Sequence, residues 1–390
     1  MSIEIKINKN LSLGTWLGLG GAITEATAYN FSKLSVAKQK KLLDAYYGKD
    51  GLDYRWCRLP IGSCDFCLEP FEYNLKHFSI EHDKQWVIPM LKQVKKDITF
   101  IAAPWSPPRS MKFPPMRRFG GWLKPWCYDR YADYLKNWLA AYEKEGINID
   151  FLSPQNEPFA SQIWESCRYS FRAQRKLAEH LSGLGPKLLL WDHNKKHLLK
   201  VADELLPGTD AGLCFHWYDG TCEDQMWAVR QKYPDAMLVS SEMCCGFSPY
   251  DENEWQKDAA LYLKEIISDI NCGTTAWLDW NMLLNHQGGP TYCRNFVKSP
   301  VILNEAGDDF ILTPIYAALK QFAKLFPASS EIVRCECSSP DIVAAARKTK
   351  TGHHIVALNL ANEPITVSLN GKETTLEPQK LTEITDRKAK

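Results

Sequence analysis

The chain has 390 residues, 45% of them apolar and 24% charged, with a formal net charge of +1. That balance excludes a disordered chain and provides a core for one large domain plus a small one. Near-zero net charge also removes any general attraction to nucleic acid or to an anionic membrane surface.

The opening "SIEIKI" alternates with period two, which predicts a strand. It carries no apolar signal core, and no later run approaches the length of a membrane span. From there the pattern alternates between strand and helix. A strand near Leu17–Ile23 precedes the helical "LSVAKQKKLLDAYYG", and "YRWCRLPIG" precedes a helix around "DKQWVIPMLKQVKKD". The third strand, "ITFIAAPWS", leads to "DRYADYLKNWLAAYEKEG". Its Tyr131, Tyr134, Leu135, Trp138, Leu139 and Tyr142 make one apolar helix face, with Gly146 as a stop. Ile149–Leu152 is the fourth strand, "KLLLWDH" the fifth, "AGLCFHWY" the sixth, "AMLVSSE" the seventh and "TTAWLDWN" the eighth, each followed by a helical segment. Eight continuous apolar strands alternating with helices predict a closed (β/α)8 TIM barrel. Beyond Phe326, short runs such as "HHIVALNLA" and "ITVSLN" between turn formers predict a small antiparallel β-sandwich that the opening strand joins. The expected division is therefore 1–15 as the N-terminal strand of the sandwich, 16–326 as the barrel and 327–390 as the remaining sandwich.

The 13 Cys are odd in number and unpatterned, which favours a reducing cytoplasm, or secretion if a signal peptide has been removed. Cys64-Asp65-Phe66-Cys67 has CxxC form, and Cys335 and Cys337 are neighbours. Neither has a second ligand pair at zinc spacing, so both read as free thiols; no metal and no cofactor is expected. The 14 Trp and 16 Tyr fill core, and such amphipathic rings also suit sugar stacking.

Chemistry in such a barrel sits at the carboxyl ends of the strands. Those ends carry Asp65 after Arg58, then Trp105, Asn156-Glu157, His193, His216-Trp217-Tyr218, Glu242 and Asp279-Trp280. In "NIDFLSPQNEPFA", an amide and a carboxyl group follow the fourth strand side by side and are locked by Pro158. Taken alone, that stretch reads first as a turn or helix cap. Glu157 and Glu242 are the two glutamates placed directly at strand ends, on strands four and seven, where they face each other across the mouth. Opposed carboxyl groups without metal ligands point to glycosidic bond hydrolysis. Arg58 and Tyr218 are placed to reach Glu242 and hold it ionised as a nucleophile, whereas Glu157 must be protonated to act as an acid, which a less charged pocket favours. Asn156 suits a sugar hydroxyl near the reacting carbon.

These residues resemble glycoside hydrolase family 30, a retaining family that includes the glucosylceramidases. The resemblance runs through "GLGGAITEA", "RLPIGSCDF", "AAPWSPPRSMK", "SPQNEP", "FHWYDG", "SSEMC" and the long "AWLDWNMLLNHQGGPTYCRNFVKSPVI". It implies a barrel with a side β-sandwich, Glu157 as acid/base and Glu242 as nucleophile. It also implies that Asp65, Trp105, Asn156, Trp280 and Asn295 line the subsite for the non-reducing-end sugar; His216 and Tyr218, at the end of strand six, are expected to bind substrate with them. Two features depart from the family: Arg109-Ser110 replace an aromatic position near the leaving group, and one strand alone precedes the barrel. The expected activity is an exo-acting β-glucosidase on a small-molecule β-glycoside, without nucleic-acid partners or stable membrane insertion. A β-xylosidase, an endo-acting β-1,6-glucanase or xylanase, a non-catalytic carbohydrate-binding barrel and a metal-dependent hydrolase are the alternatives.

Overall fold

In the computed structural model, which describes residues 3–387, eight parallel strands close into a barrel. They are Gly18–Ala22, Trp56–Ile61, Thr99–Pro104, Phe151–Leu152, Lys187–Asn194, Gly212–His216, Leu238–Glu242 and Ala276–Asn281, each paired in parallel with its neighbours in chain order. The fourth is shorter than the expected four residues. Pro154 has no N–H to give to the ladder, so pairing continues only as single bonds, Ser153 to the Ala102 carbonyl and Asn156 to the Pro104 carbonyl, both 2.9 Å.

Side-chain alternation builds the barrel interior in layers. Trp56, Ile101, Leu189, Cys214, Val239, Ala276 and Leu278 form one apolar cluster inside it. Gly20 makes room for this layer, because a Cβ there would lie 2.5 Å from the Trp56 Cβ. Two residues beyond Trp56, on the same face of the strand, stands the fully buried Arg58. The barrel is thus apolar below and charged at the carboxyl ends of its strands.

The outer helices agree with the sequence periodicity, with two differences. The helix expected across Asp83–Asp97 is confined to Val87–Leu91, where Pro89 supplies no donor and restricts the residue before it. An additional helix, Glu25–Ser32, follows the first barrel strand and is capped by Thr24, whose hydroxyl accepts the Thr27 N–H at 3.1 Å. Among the described residues no helix is long and apolar enough to cross a membrane.

The remaining strands form a seven-stranded sheet into which the N-terminal strand Ile3–Trp16 is inserted. That strand runs antiparallel to Ser330–Cys337 and parallel to Ile365–Leu369, so it joins the two halves of the sheet. Ile5, Val333, Ala344, Ile355, Val367, Leu369 and Leu376 share one buried cluster, so the sheet folds over its own apolar face. Between the eighth barrel strand and the last helix, Leu283–Leu284, Val301–Leu303 and Phe310–Leu312 make a small sheet that anchors the loop carrying Asn295.

Candidate active site

Regular pairing is interrupted where the strands reach the mouth. Register shifts occur between Ser240 and Glu242, between Asp279 and Asn281, and between Trp191 and His193. In the last case Trp191 (φ 82°) and Asp192 (φ 49°) are both left-handed, an uncommon conformation for such residues that persists only where surrounding bonds impose it. The kink turns the fully buried Asp192 towards Arg58. Glu157 is also left-handed (φ 47°), and its N–H donates to the Asp192 carbonyl at 2.9 Å. The stretch after strand four is therefore not an ordinary turn, since it is bonded to the distorted end of strand five.

Arg58 organises one side of the site. Its guanidinium donates to Glu242 through Nη1, and through Nη2 to Asp192 Oδ2 (2.8 Å) and Asn156 Oδ1 (2.9 Å). Burial alone would lower its pKa, but the charges of Asp192 and Glu242 raise it. The Tyr218 hydroxyl donates to the other Glu242 oxygen at 2.9 Å. With its oxygen committed to Arg58, the Asn156 side chain keeps its NH2 group as a donor. Asp192 is closed off by Ser241 Oγ at 2.6 Å and His216 Nε2 at 3.1 Å. Burial pushes its carboxyl group up, but the Arg58 charge and these hydrogen bonds hold it well below the usual carboxylate range.

Glu157 has a different seat. His216 Nδ1 lies 3.3 Å from its Oε1, His193 Nδ1 lies 3.7 Å away, and Gln162 Nε2 reaches Oε2 at 3.5 Å. Burial raises its pKa, yet the nearby imidazoles of His193 and His216 outweigh burial and pull it below the ordinary value. His216 moves the other way. Burial lowers it, but Glu242, Asp192 and Glu157 surround it with negative charge and bring it to about 9. This departs from the expectation of a protonated Glu157 in a weakly charged pocket: the surroundings pull Glu157 down and push His216 up, which favours a carboxylate beside an imidazolium. His216 is also corrected from a substrate-binding residue. It is fully buried beneath the cleft and touches Glu157 and Asp192 instead.

The other expected residues converge on one cleft of about 380 Å3, lined by Asp65, Trp105, Asn156, Tyr218, Trp280 and Asn295 together with both glutamates. Trp105 and Trp280 stack on each other with centroids 5.1 Å apart and planes 18° from parallel, rather than standing on opposite sides of a sugar. Both are almost fully buried, and Arg58 lies 5.0 Å and 5.3 Å from their ring centroids. Asn295 donates to Asp65 Oδ2 at 2.8 Å, while Asp65 Oδ1 is buried without a partner among the described residues. Burial, aided by the charge of Glu242, pushes Asp65 up to about 8, so it retains a proton to donate at neutral pH. Asp279 points away from the cleft and accepts from the Tyr262 hydroxyl at 2.7 Å.

Sequence reasoning missed Asp192, Gln162, Trp164 and Asn194. Asp192 stands within "LLLWDH", where a regular strand gives no sign that it turns inwards. Asn194 ends that same strand, beyond its register shift, and Gln162 and Trp164 lie on a loop with no periodic signal.

Among the described residues, Glu157, His216 and Glu242 are the one set of His, Cys or carboxylate groups with converging ligand atoms, all within 4.8 Å of one another. Within the set His216 bonds Glu157, while Glu242 accepts from Arg58 and Tyr218, so its oxygens already have donors. All 13 cysteines are free, and Cys67 accepts the Cys64 backbone N–H at 3.3 Å.

Residues 17–326 match the family model described as the glycosyl hydrolase family 30 TIM-barrel domain. Lysosomal acid glucosylceramidase of Mus musculus is 31% identical over 397 residues, covering 90% of this chain and 76% of that protein. An endo-1,6-beta-D-glucanase of Neurospora crassa is 26% identical over 297 residues, covering 67% of this chain and 59% of its own length. The crystal structure of SrfJ from Salmonella typhimurium superposes with a TM-score of 0.89 at 27% identity, covering 96% of this chain and 91% of that one.

Proposed function

The chain belongs to glycosyl hydrolase family 30 and is thus an O-glycosyl hydrolase acting on carbohydrate; from that premise we propose that it is a retaining, exo-acting β-glucosidase of the glucosylceramidase type. The observation that carries the mechanism is spacing. A carboxylate oxygen of Glu157 lies within 4.8 Å of one of Glu242. That fits the roughly 5–5.5 Å separation of retaining pairs, whereas an inverting pair needs about 6.5–9.5 Å to admit a water.

In this reading Glu242 attacks the anomeric carbon while Arg58 and Tyr218 fix its direction. The free Asn156 NH2 donates to the hydroxyl next to the reacting carbon. The proton for the leaving oxygen comes from the Glu157–His216 pair. Sugar entering the cleft displaces water, and a partly dehydrated ion pair is less favourable than a neutral acid beside a neutral imidazole. Moving one proton across 3.3 Å from Nδ1 to Oε1 makes that change. When the glycosyl–enzyme bond forms, Glu242 loses its charge, and Glu157, now a carboxylate, activates water for the second displacement.

Exo action is supported by the sector that holds Asp65, Trp105 and Asn295. Tyr292, from the loop after strand eight, bonds through its hydroxyl to Glu165, from the loop after strand four. Ser63, after strand two, donates to the other Glu165 oxygen at 2.7 Å. These bonds tie the loops after strands two, four and eight together beside that sector, an arrangement that suits a cleft closed at one end. The Neurospora relative supports a second reading, endo action on a β-1,6-glucan, and one experiment separates the two. NMR of the first product from a β-glucoside should show the β anomer, and early products from a β-linked glucan should be glucose alone. An α anomer would refute retention, and a ladder of longer products would refute the exo assignment. A panel of nitrophenyl glycosides separates glucose from xylose specificity. A cytoplasmic setting is part of the same proposal, supported by the 13 free cysteines; recovery of the native protein outside the cytoplasmic fraction would refute it.

A further inference from the structure

Past Glu157, on the side of strands five and six, a second cleft of about 340 Å3 adjoins the first and shares His193 and Asn194 with it. Its wall is aromatic. Phe159, two residues after Glu157, is 41% exposed, so one ring is offered to whatever occupies the cleft. That ring is held from behind: Trp191 meets it edge-on at 5.0 Å and Phe171 packs against it at 5.1 Å. Trp191 is itself fixed by its left-handed backbone and by Nε1 donating to the Asn194 carbonyl at 2.8 Å.

The shared wall also carries an unmet need. Asn194 Oδ1 is buried and has no hydrogen-bond partner among the described residues. A buried acceptor in that state costs stability unless a ligand or water supplies a donor. Across the cleft, the exposed Lys200 and Asp219 add a cationic donor and an anionic acceptor at the rim. A held aromatic ring, an unpaired buried acceptor and a mixed polar rim together suit a ring with an apolar C–H face and several hydroxyls. An alkyl chain would cover the ring but leave Asn194 unpaired.

We propose that this cleft is the subsite for the leaving sugar of a β-linked oligosaccharide, with Phe159 as its platform and Asn194 as an acceptor for one of its hydroxyls. The inference rests on the β-glucosidase reading above and makes it more specific, favouring a saccharide over an apolar leaving group. In it, the oxygen protonated by Glu157 belongs to a second sugar seated against Phe159.

The test compares kcat/KM of the unaltered protein, Phe159→Ala and Asn194→Ala on gentiobiose, cellobiose, methyl β-glucoside and octyl β-glucoside. Both variants should lose about tenfold on the better disaccharide, and Phe159→Ala should stay within about twofold on methyl β-glucoside. Loss confined to octyl β-glucoside, equal loss on every substrate, or no loss at all would overturn the proposal. A second arm uses the Glu242→Gln background, in which calorimetry reads binding without turnover. Disaccharide should bind more tightly than glucose, and Phe159→Ala should remove that advantage. If no β-glucoside is turned over but this advantage appears and is lost in the variant, the subsite stands and the β-glucosidase reading falls. Glucose binding as tightly as disaccharide, or neither binding, overturns the subsite.

Discussion

Glu157 and Glu242 have the same side chain, stand at the ends of two strands of one barrel, and occupy opposite surroundings. Glu242 is held by a guanidinium and a phenol, on a fully buried framework of Arg58, Asp192 and Ser241. Glu157 instead lies against the imidazoles of His216 and His193 and the amide of Gln162, and an imidazole is a group that can gain or lose a proton. What differs is whether the partners can change charge. A guanidinium cannot lose its proton and so fixes direction; an imidazole can, which gives Glu157 somewhere to leave a proton and retrieve it. The chemical role of each glutamate is thus written in its neighbours.

The largest test of this asymmetry is Glu242→Gln. If this residue forms the covalent intermediate, turnover should fall by about 10^4-fold or more on every substrate, whatever the leaving group. Rates near normal, measured with protein purified free of host glycosidases, would end the assignment.

Glu157→Gln should behave selectively. Substrates with poor leaving groups should slow by about 10^2–10^4-fold, while the first step on activated aryl glycosides should be much less affected, because those groups depart without protonation. Azide should then restore turnover of the activated substrates by replacing base-assisted water. Equal losses on both substrate types would mean that the two carboxyl groups do not divide the work as their seats suggest.

Removing one hydrogen bond from the firmer seat is a smaller change. Tyr218→Phe leaves Arg58 in place and should lower kcat by roughly tenfold, the scale of one bond to a charged group, with little change in KM. A pure KM effect would place Tyr218 with the substrate rather than with Glu242.

The smallest expected effect is on stability against pH. His216 has a folded pKa of about 9, above its ordinary 6.5, so its contribution is fully present below about pH 6.5 and is lost as pH rises towards 9. Asp65, pushed up to about 8, acts in the same direction over a lower range, since the folded state binds its proton more tightly than the unfolded chain does. Asp192 is depressed, and its contribution is present at neutral pH and lost on acidification below the usual carboxylate range. Melting temperature should therefore fall between pH 7 and 9, on the order of 5 °C. His216→Asn should flatten that slope. An unchanged slope would show that the imidazole carries no excess proton in the folded protein.

Arg58, Asp65, Trp105, Asn156, Glu157, His216, Tyr218, Glu242, Trp280 and Asn295 lie in or directly beneath one cleft, whereas Asp279 turns to Tyr262, and for the strand ends the reason is local. A strand alternates with period two, a closed parallel barrel presents its chemistry at the carboxyl ends, and "NEP" and "SSE" mark two of those ends without reference to anything distant. The chain order of the strands even sets the glutamates three positions apart around the ring. The sequence by itself therefore determined the barrel, the strand that joins its N-terminus to the side sheet, and the pair of carboxyl groups across the mouth. Only the tertiary structure decided that Asp192 turns inwards, that His216 lies under Glu157 instead of against a sugar, that Trp105 and Trp280 stack together, and that Glu157 is pulled down in pKa while His216 is pushed up. Each of these depends on a left-handed kink held by bonds from other strands, or on the sum of burial and charge from residues more than 20 positions apart. Such sums have no period and leave no local trace.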